Sequence, residues 1–113
     1  MARWKKVLLW VVSVLLAAVF VLAGSDKLTP ASQMAAMFAA WGYAPWFRFL
    51  IGLVETLGGI TLLVPRVARF GAVTLTVVML GAAFTHVRAG EWPNPLFNLV
   101  FAAGLLWIAR NRK

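Results

Sequence analysis

Residues 7–24 read Val7-Leu8-Leu9-Trp10-Val11-Val12-Ser13-Val14-Leu15-Leu16-Ala17-Ala18-Val19-Phe20-Val21-Leu22-Ala23-Gly24. Apart from Ser13 the run is apolar, and it carries no charge. A helix needs about 20 residues to cross ~30 Å of hydrocarbon, with a lower limit near 17. The stretch therefore predicts a transmembrane helix. Three further apolar runs follow, Trp46–Val64, Val67–Val87 and Pro95–Ala109. The last reaches span length only with Asn94 and the aromatics Trp92 and Trp107 placed at the interfaces. Irregular backbone exposed to lipid would leave its polar groups unpaired, so each run is expected to be helical. The expected fold is all-α, a four-helix transmembrane bundle forming a single domain over 1–113.

Composition agrees. The chain has 113 residues, 63% of them hydrophobic and 12% charged, with a mean hydropathy of +0.88. A soluble domain of this size could not hide so much apolar surface. There is no cysteine, which excludes disulfides and thiolate metal sites. The formal charge of +8 would suggest nucleic acid in a soluble protein. Here the basic residues sit in short tracts beside apolar runs, so they read as topology signals and lipid-headgroup contacts, with no nucleic-acid partner.

Orientation follows from where those residues fall. Arg3, Lys5, Lys6, Arg66, Arg69, Arg110, Arg112 and Lys113 lie on one side of the spans, with no acid among them. Lys27, Arg48 and Arg88 lie on the other, with Asp26 and Glu91. The positive side is expected to be cytoplasmic, with both termini inside and the chain in the inner (plasma) membrane. A rival reading takes the N-terminus as a signal peptide cleaved near Gly24. The apolar stretch is longer than the usual range of about 7–15 residues, which favours an uncleaved first span.

Between the first two spans, Thr29-Pro30 is a good helix start, with threonine as N-cap and proline in the first turn. Met34, Met37, Phe38 and Trp41 recur at helical spacing before Gly42. A short amphipathic helix over about 30–41 is expected, either on the outer membrane face or tucked over the bundle. Helical projection gives each span a small or polar stripe. These are Ser13, Ala17, Gly24 and Lys27, with Trp10 and Phe20 beside them; Arg48, Gly52, Glu55 and Gly59; Ala72, Leu75, Met79, Ala82 and His86; and Asn94, Asn98, Ala102 and Ala109. Small residues let membrane helices approach and polar ones bond across them, so the stripes should face one another. Leu50, Leu53, Leu57 and Ile60 would then face lipid.

Glu55 is the focus of the candidate site. It lies about 10–14 Å below the outer end of its helix at 1.5 Å per residue, where an ionised carboxylate costs at least ~2–3 kcal/mol. It must be neutral, paired or open to water. Candidate partners at the same ends of the helices are Lys27, Arg48, His86 and Asn98. Arg48 is about 10.5 Å away along the same helix, which makes Lys27 or His86 the easier partner. Three readings stay open: a polar clasp that fixes packing, a ligand-binding or proton-handling site, and an incidental solvated glutamate. His86 alone fits a hydrogen-bonding interface residue, Asn98 an interhelix bond, and the methionines packing.

A bis-histidine haem needs two histidines, and the chain has one. No Walker loop, dinucleotide-binding glycine fingerprint or zincin helix occurs. Metal binding would rest on Glu55, His86 and asparagines, a thin donor set, so no metal is expected.

The sequence resembles the DoxX-like family of small four-helix bacterial membrane proteins. The likeness rests on Ala23-Gly-Ser-Asp-Lys-Leu28, Trp41-Gly-Tyr-Ala-Pro-Trp46, Ile51-Gly-Leu-Val-Glu-Thr-Leu-Gly-Gly59, Leu63-Val-Pro-Arg-Val-Ala-Arg69 and Met79-Leu-Gly-Ala-Ala-Phe-Thr-His86. Lys27 and Glu55 match the family pattern best. The resemblance implies a link to quinone-coupled oxidation of reduced sulfur compounds or to membrane assemblies that handle oxidative stress.

The first functional reading is a quinone-linked or lipophilic-ligand-binding subunit of a membrane redox assembly. A headgroup would sit near Trp41, Trp46 and Phe47, Glu55 would handle protons, and Lys27 or His86 would bond the carbonyl oxygens. No cofactor is evident beyond that quinone, and no catalytic residue is identified. A redox reaction would need a partner subunit or a bound carrier. The alternatives are a non-catalytic scaffold or anchor and a small transporter. Partners would be the bilayer, further copies of the chain or other membrane subunits.

Overall fold

The computed structural model describes residues 2–29 and 33–112. Pro30, expected to open the outer helix, and Lys113, counted on the basic side, lie outside the described residues. The fold is all-α. Its helices are α1 (Arg3–Leu28), α2 (Gln33–Ala40), α3 (Pro45–Thr61), α4 (Ala68–Ala89) and α5 (Asn94–Asn111). α1 packs on α3, α4 packs on α5, and the two pairs meet chiefly through α3 and α4. Chain order makes the four long helices run alternately up and down. One end of the bundle holds Arg66 and the other holds Lys27.

The helix limits differ from the expected apolar runs for local reasons. α1 starts at Arg3 and runs to Leu28, because the flanking polar residues are good enough helix formers to continue it. α3 takes Pro45 at its first position, where a missing N–H costs nothing, and stops at Thr61 rather than Val64. Pro65 disfavours helical backbone at the residue before it, and the chain turns there into α4. Gly90 ends α4 with a left-handed φ of 71°, its N–H bonding Val87 while Glu91 N–H bonds the His86 carbonyl at 2.9 Å. Such a turn satisfies the orphan carbonyls of a helix end. α5 covers 18 residues, two beyond the expected run at its far end and one before it.

Close approach of α1 and α3 requires glycine. A Cβ at Gly24 would stand 2.7 Å from the Gly52 carbonyl oxygen, and one at Gly52 would stand 3.0 Å from that of Gly24. Toward the Arg66 end the interior is solid, with Leu62, Ala72, Leu75, Leu105 and Ile108 fully buried in one apolar cluster with Leu9, Leu16 and Phe20. The outer surface is apolar too. Val11, Val14, Leu15 and Leu22 on α1 are exposed, as are Leu50, Leu53, Leu57 and Ile60 on α3, Val77 and Phe84 on α4, and Leu99, Val100 and Leu106 on α5. The expected inward stripes are buried or half-buried throughout, except Trp10, which is exposed beside its stripe.

Among the described residues, α1 and α4 are long and apolar enough to cross a membrane. α3, at 17 residues, and α5, which carries Asn94, Asn98 and Arg110, fall short of that standard.

Candidate functional site

Toward the Lys27 end the bundle is hollow. A cavity of about 410 Å³ opens between the long helices and is roofed by α2 and the turn that follows it. Phe20, Ile51, Val78, Met79 and Phe101 make most of its wall apolar, and Lys27, Glu55, His86 and Asn98 all border it.

Side chains on a helix lean toward its N-terminus. Lys27, at the end of α1, therefore leans into the bundle, whereas Glu55 on antiparallel α3 leans back toward it. They meet with Lys27 Nζ 2.9 Å from Glu55 Oε1, and Glu55 is only 2% exposed. The ammonium thus stands where it offsets the cost of placing a carboxylate out of water.

The same lean explains why Arg48 does not join them. Its side chain points away from Glu55, to the end of α1. There the guanidinium donates to the Lys27 carbonyl and, at 3.4 Å, to the Thr29 carbonyl. Arg48, expected among the ligand-binding or proton-handling candidates, is buried as a cap on the negative end of the α1 dipole and is not among the residues that line the cavity. Trp46 is 67% exposed and lies outside the cavity that Trp41 and Phe47 border.

His86 borders the cavity but serves Glu91, with Nδ1 2.8 Å from Glu91 Oε1 and its ring edge-on to Trp41. Asn98 reaches α4 through a weak contact from Nδ2 to Met79 Sδ at 3.6 Å. Its Oδ1 is buried and has no hydrogen-bond partner among the described residues.

The roof is built on aromatics. Phe38 is buried, with its ring centroid 5.3 Å from Trp41, 5.8 Å from Tyr43 and 6.4 Å from Phe47. α2 is accordingly tucked over the bundle. Gly42, at φ 88°, turns the chain between Trp41 and Tyr43 in a conformation that L side chains rarely adopt. The turn is strapped to the end of α4 and to Glu91 just beyond it. Trp41 Nε1 donates to Glu91 Oε1 at 3.1 Å, Tyr43 Oη lies 2.7 Å from Thr85 Oγ1, and Arg88 donates to the Trp41 carbonyl at 3.1 Å.

The chain matches the model of the DoxX-like family over residues 11–108. It belongs to that family. No curated protein and no solved structure matches it. Membership and the two span-capable helices make this DoxX-like chain a membrane protein. Both the Lys27–Glu55 pair and the roof fall within the matched residues. Among the described residues of this DoxX-like protein, no group of three or more His, Cys, Asp or Glu side chains could hold a metal ion.

Sequence reasoning missed Tyr43, Thr85 and Glu91. Glu91 carried a signal, because a glycine directly after a helical run predicts a turn that folds the next residue back. Tyr43 and Thr85 carried none, as their contact spans 42 positions.

Proposed function

We propose that this DoxX-like protein is a four-span bundle of the inner membrane, with both termini cytoplasmic, that holds the polar head of a lipophilic molecule beneath α2. The observation that carries the reading is the buried Lys27–Glu55 pair at the border of a cavity. Burying charge beside empty volume forgoes packing contacts that would otherwise compensate its desolvation. A ligand of matching polarity supplies them.

Four spans are supported by the apolar outer faces of α3 and α5, which water would not favour. α3 at about 25 Å suits a span when its aromatic N-terminus sits at the interface. The basic Arg66 end supports the orientation. A quinone head fits the site's chemistry, with Lys27 and the Asn98 amide as donors to its carbonyl oxygens and Glu55 as a proton-handling carboxyl. Phe38, Trp41 and Tyr43 would flank its ring. Oxidation or reduction would require an electron carrier on another subunit.

The second reading is the polar clasp, favoured by the position of the pair directly beside the Gly24–Gly52 contact of α1 with α3. Native mass spectrometry from nanodiscs containing decylubiquinone separates the two. A bound quinone lost in Glu55→Gln and Lys27→Met, with melting temperatures lowered but the fold intact, supports the ligand site. Wild-type protein free of quinone at saturating concentration leaves the clasp.

A further inference from the structure

The cavity under α2 has a side wall as well as a roof. α3 and α4 are pressed together toward the Arg66 end, where a Cβ on Gly58 would stand 2.9 Å from the Leu75 side chain and one on Gly71 3.0 Å from the Gly58 carbonyl. Further along the same seam the wall is formed by Ile51 from α3 and by Val77 and Gly81 from α4. Val77 is 65% exposed, and Gly81 is exposed as well, although both border the cavity. A residue that borders both the cavity and the outer surface marks where the wall is a single residue thick.

Gly81 sharpens the point. A glycine inside a helix costs about 1 kcal/mol relative to alanine. Gly24, Gly52, Gly58 and Gly71 are each accounted for by a neighbouring helix that leaves no room for a Cβ. Gly81 has helical backbone and nothing within 4 Å of where its Cβ would stand. Neither turn geometry nor packing explains it. What its missing side chain provides is clearance, next to Ala82, at the seam.

We infer that the seam between Ile51 and Gly81 is a lateral portal, through which the cavity takes a molecule with a polar head and a long hydrocarbon tail directly from the bilayer. The inference builds on the ligand-site reading and adds the route and the tail. The head lies by Lys27 and Glu55, and the tail leaves past Gly81 over the exposed face of Val77. The hydrogen bonds of Trp41, Tyr43 and Arg88 hold the turn after α2 over the water-facing end of the cavity.

The absence of native cysteine allows a direct test. Ala23→Cys places one thiol on the cavity wall of α1, opposite the seam. In nanodiscs it should react with N-dodecylmaleimide, delivered from lipid, at least about tenfold faster than with a sulfonated, membrane-impermeant maleimide. Adding Gly81→Leu should slow the alkyl reagent at least about tenfold. Gly81→Ala should change it less than about threefold and should not lower the melting temperature. An alkyl rate unchanged by Gly81→Leu overturns the portal, as does equal reaction with the impermeant reagent. Circular dichroism and melting of the leucine variant confirm that a slower rate is not misfolding. The readout involves no quinone. A portal that passes while native mass spectrometry finds no bound quinone therefore overturns the quinone and keeps the route.

Discussion

Among the described residues only the Lys27 ammonium pairs with the Glu55 carboxylate, and removing it strands that charge. Lys27→Met should lower stability by about 3 kcal/mol, within the range for breaking a buried pair. Lys27→Met combined with Glu55→Gln should recover at least ~1 kcal/mol of that loss, because the stranded charge is gone. Reversible unfolding of the single and double variants in detergent checks this, and simple additivity would mean that the two side chains do not interact. Arg48→Met should cost ~1–2 kcal/mol through the lost cap on α1 and should leave quinone retention unchanged, which native mass spectrometry measures. At this scale much was legible before folding. Glu55 stood out because charge in an apolar run is costly, and Lys27 because it reaches the same outer end from another helix. Arg48 was not legible. Its spacing put it on the Glu55 stripe, but the direction in which side chains lean along α3 sends it the other way.

The elements divide into those held by periodicity and one held by contacts. α1, α3, α4 and α5 are readable from apolar spacing, and their limits shift where Pro65 and Gly90 intervene and where α1 and α5 run on into their polar flanks. α2 is short, and isolated helices of its length are unstable in water. Its place comes from Phe38 beneath it and from the straps to α4 on either side of Gly42. Phe38→Asp should destabilise the bundle by about 3 kcal/mol or more. Gln33→Asp, on the exposed side of the same helix, should stay within ~0.5 kcal/mol. Melting of the two variants in one detergent decides, and equal effects would mean that α2 does not pack as described. Tyr43→Phe removes the Thr85 contact, and Arg88→Met removes the donor to the Trp41 carbonyl. Hydrogen exchange across residues 33–44 should quicken in both variants while α3 and α5 keep their protection. Those straps join positions far apart in the chain and have no local pattern, which is why the roof was foreseen as a helix but not as a tethered one.

For the molecule as a whole, the distribution of basic residues predicts its orientation. A reporter fused after Lys113 should lie in the cytoplasm, and one inserted between Thr29 and Gln33 should lie on the opposite side. Protease accessibility or reporter activity measures both, and an external C-terminus would sink the four-span arrangement. The all-α architecture was legible from composition and run length. The hollow was not, since volume left between helices depends on how their faces meet and not on any one stripe. That unevenness has a mechanical consequence. With a solid apolar core around Leu62, Leu75, Leu105 and Ile108 and a void by Glu55, the two ends differ in compressibility. Hydrostatic pressure acts on unfilled volume, so without ligand or lipid in the cavity the strain should gather at the Lys27 end while the Arg66 end holds its shape.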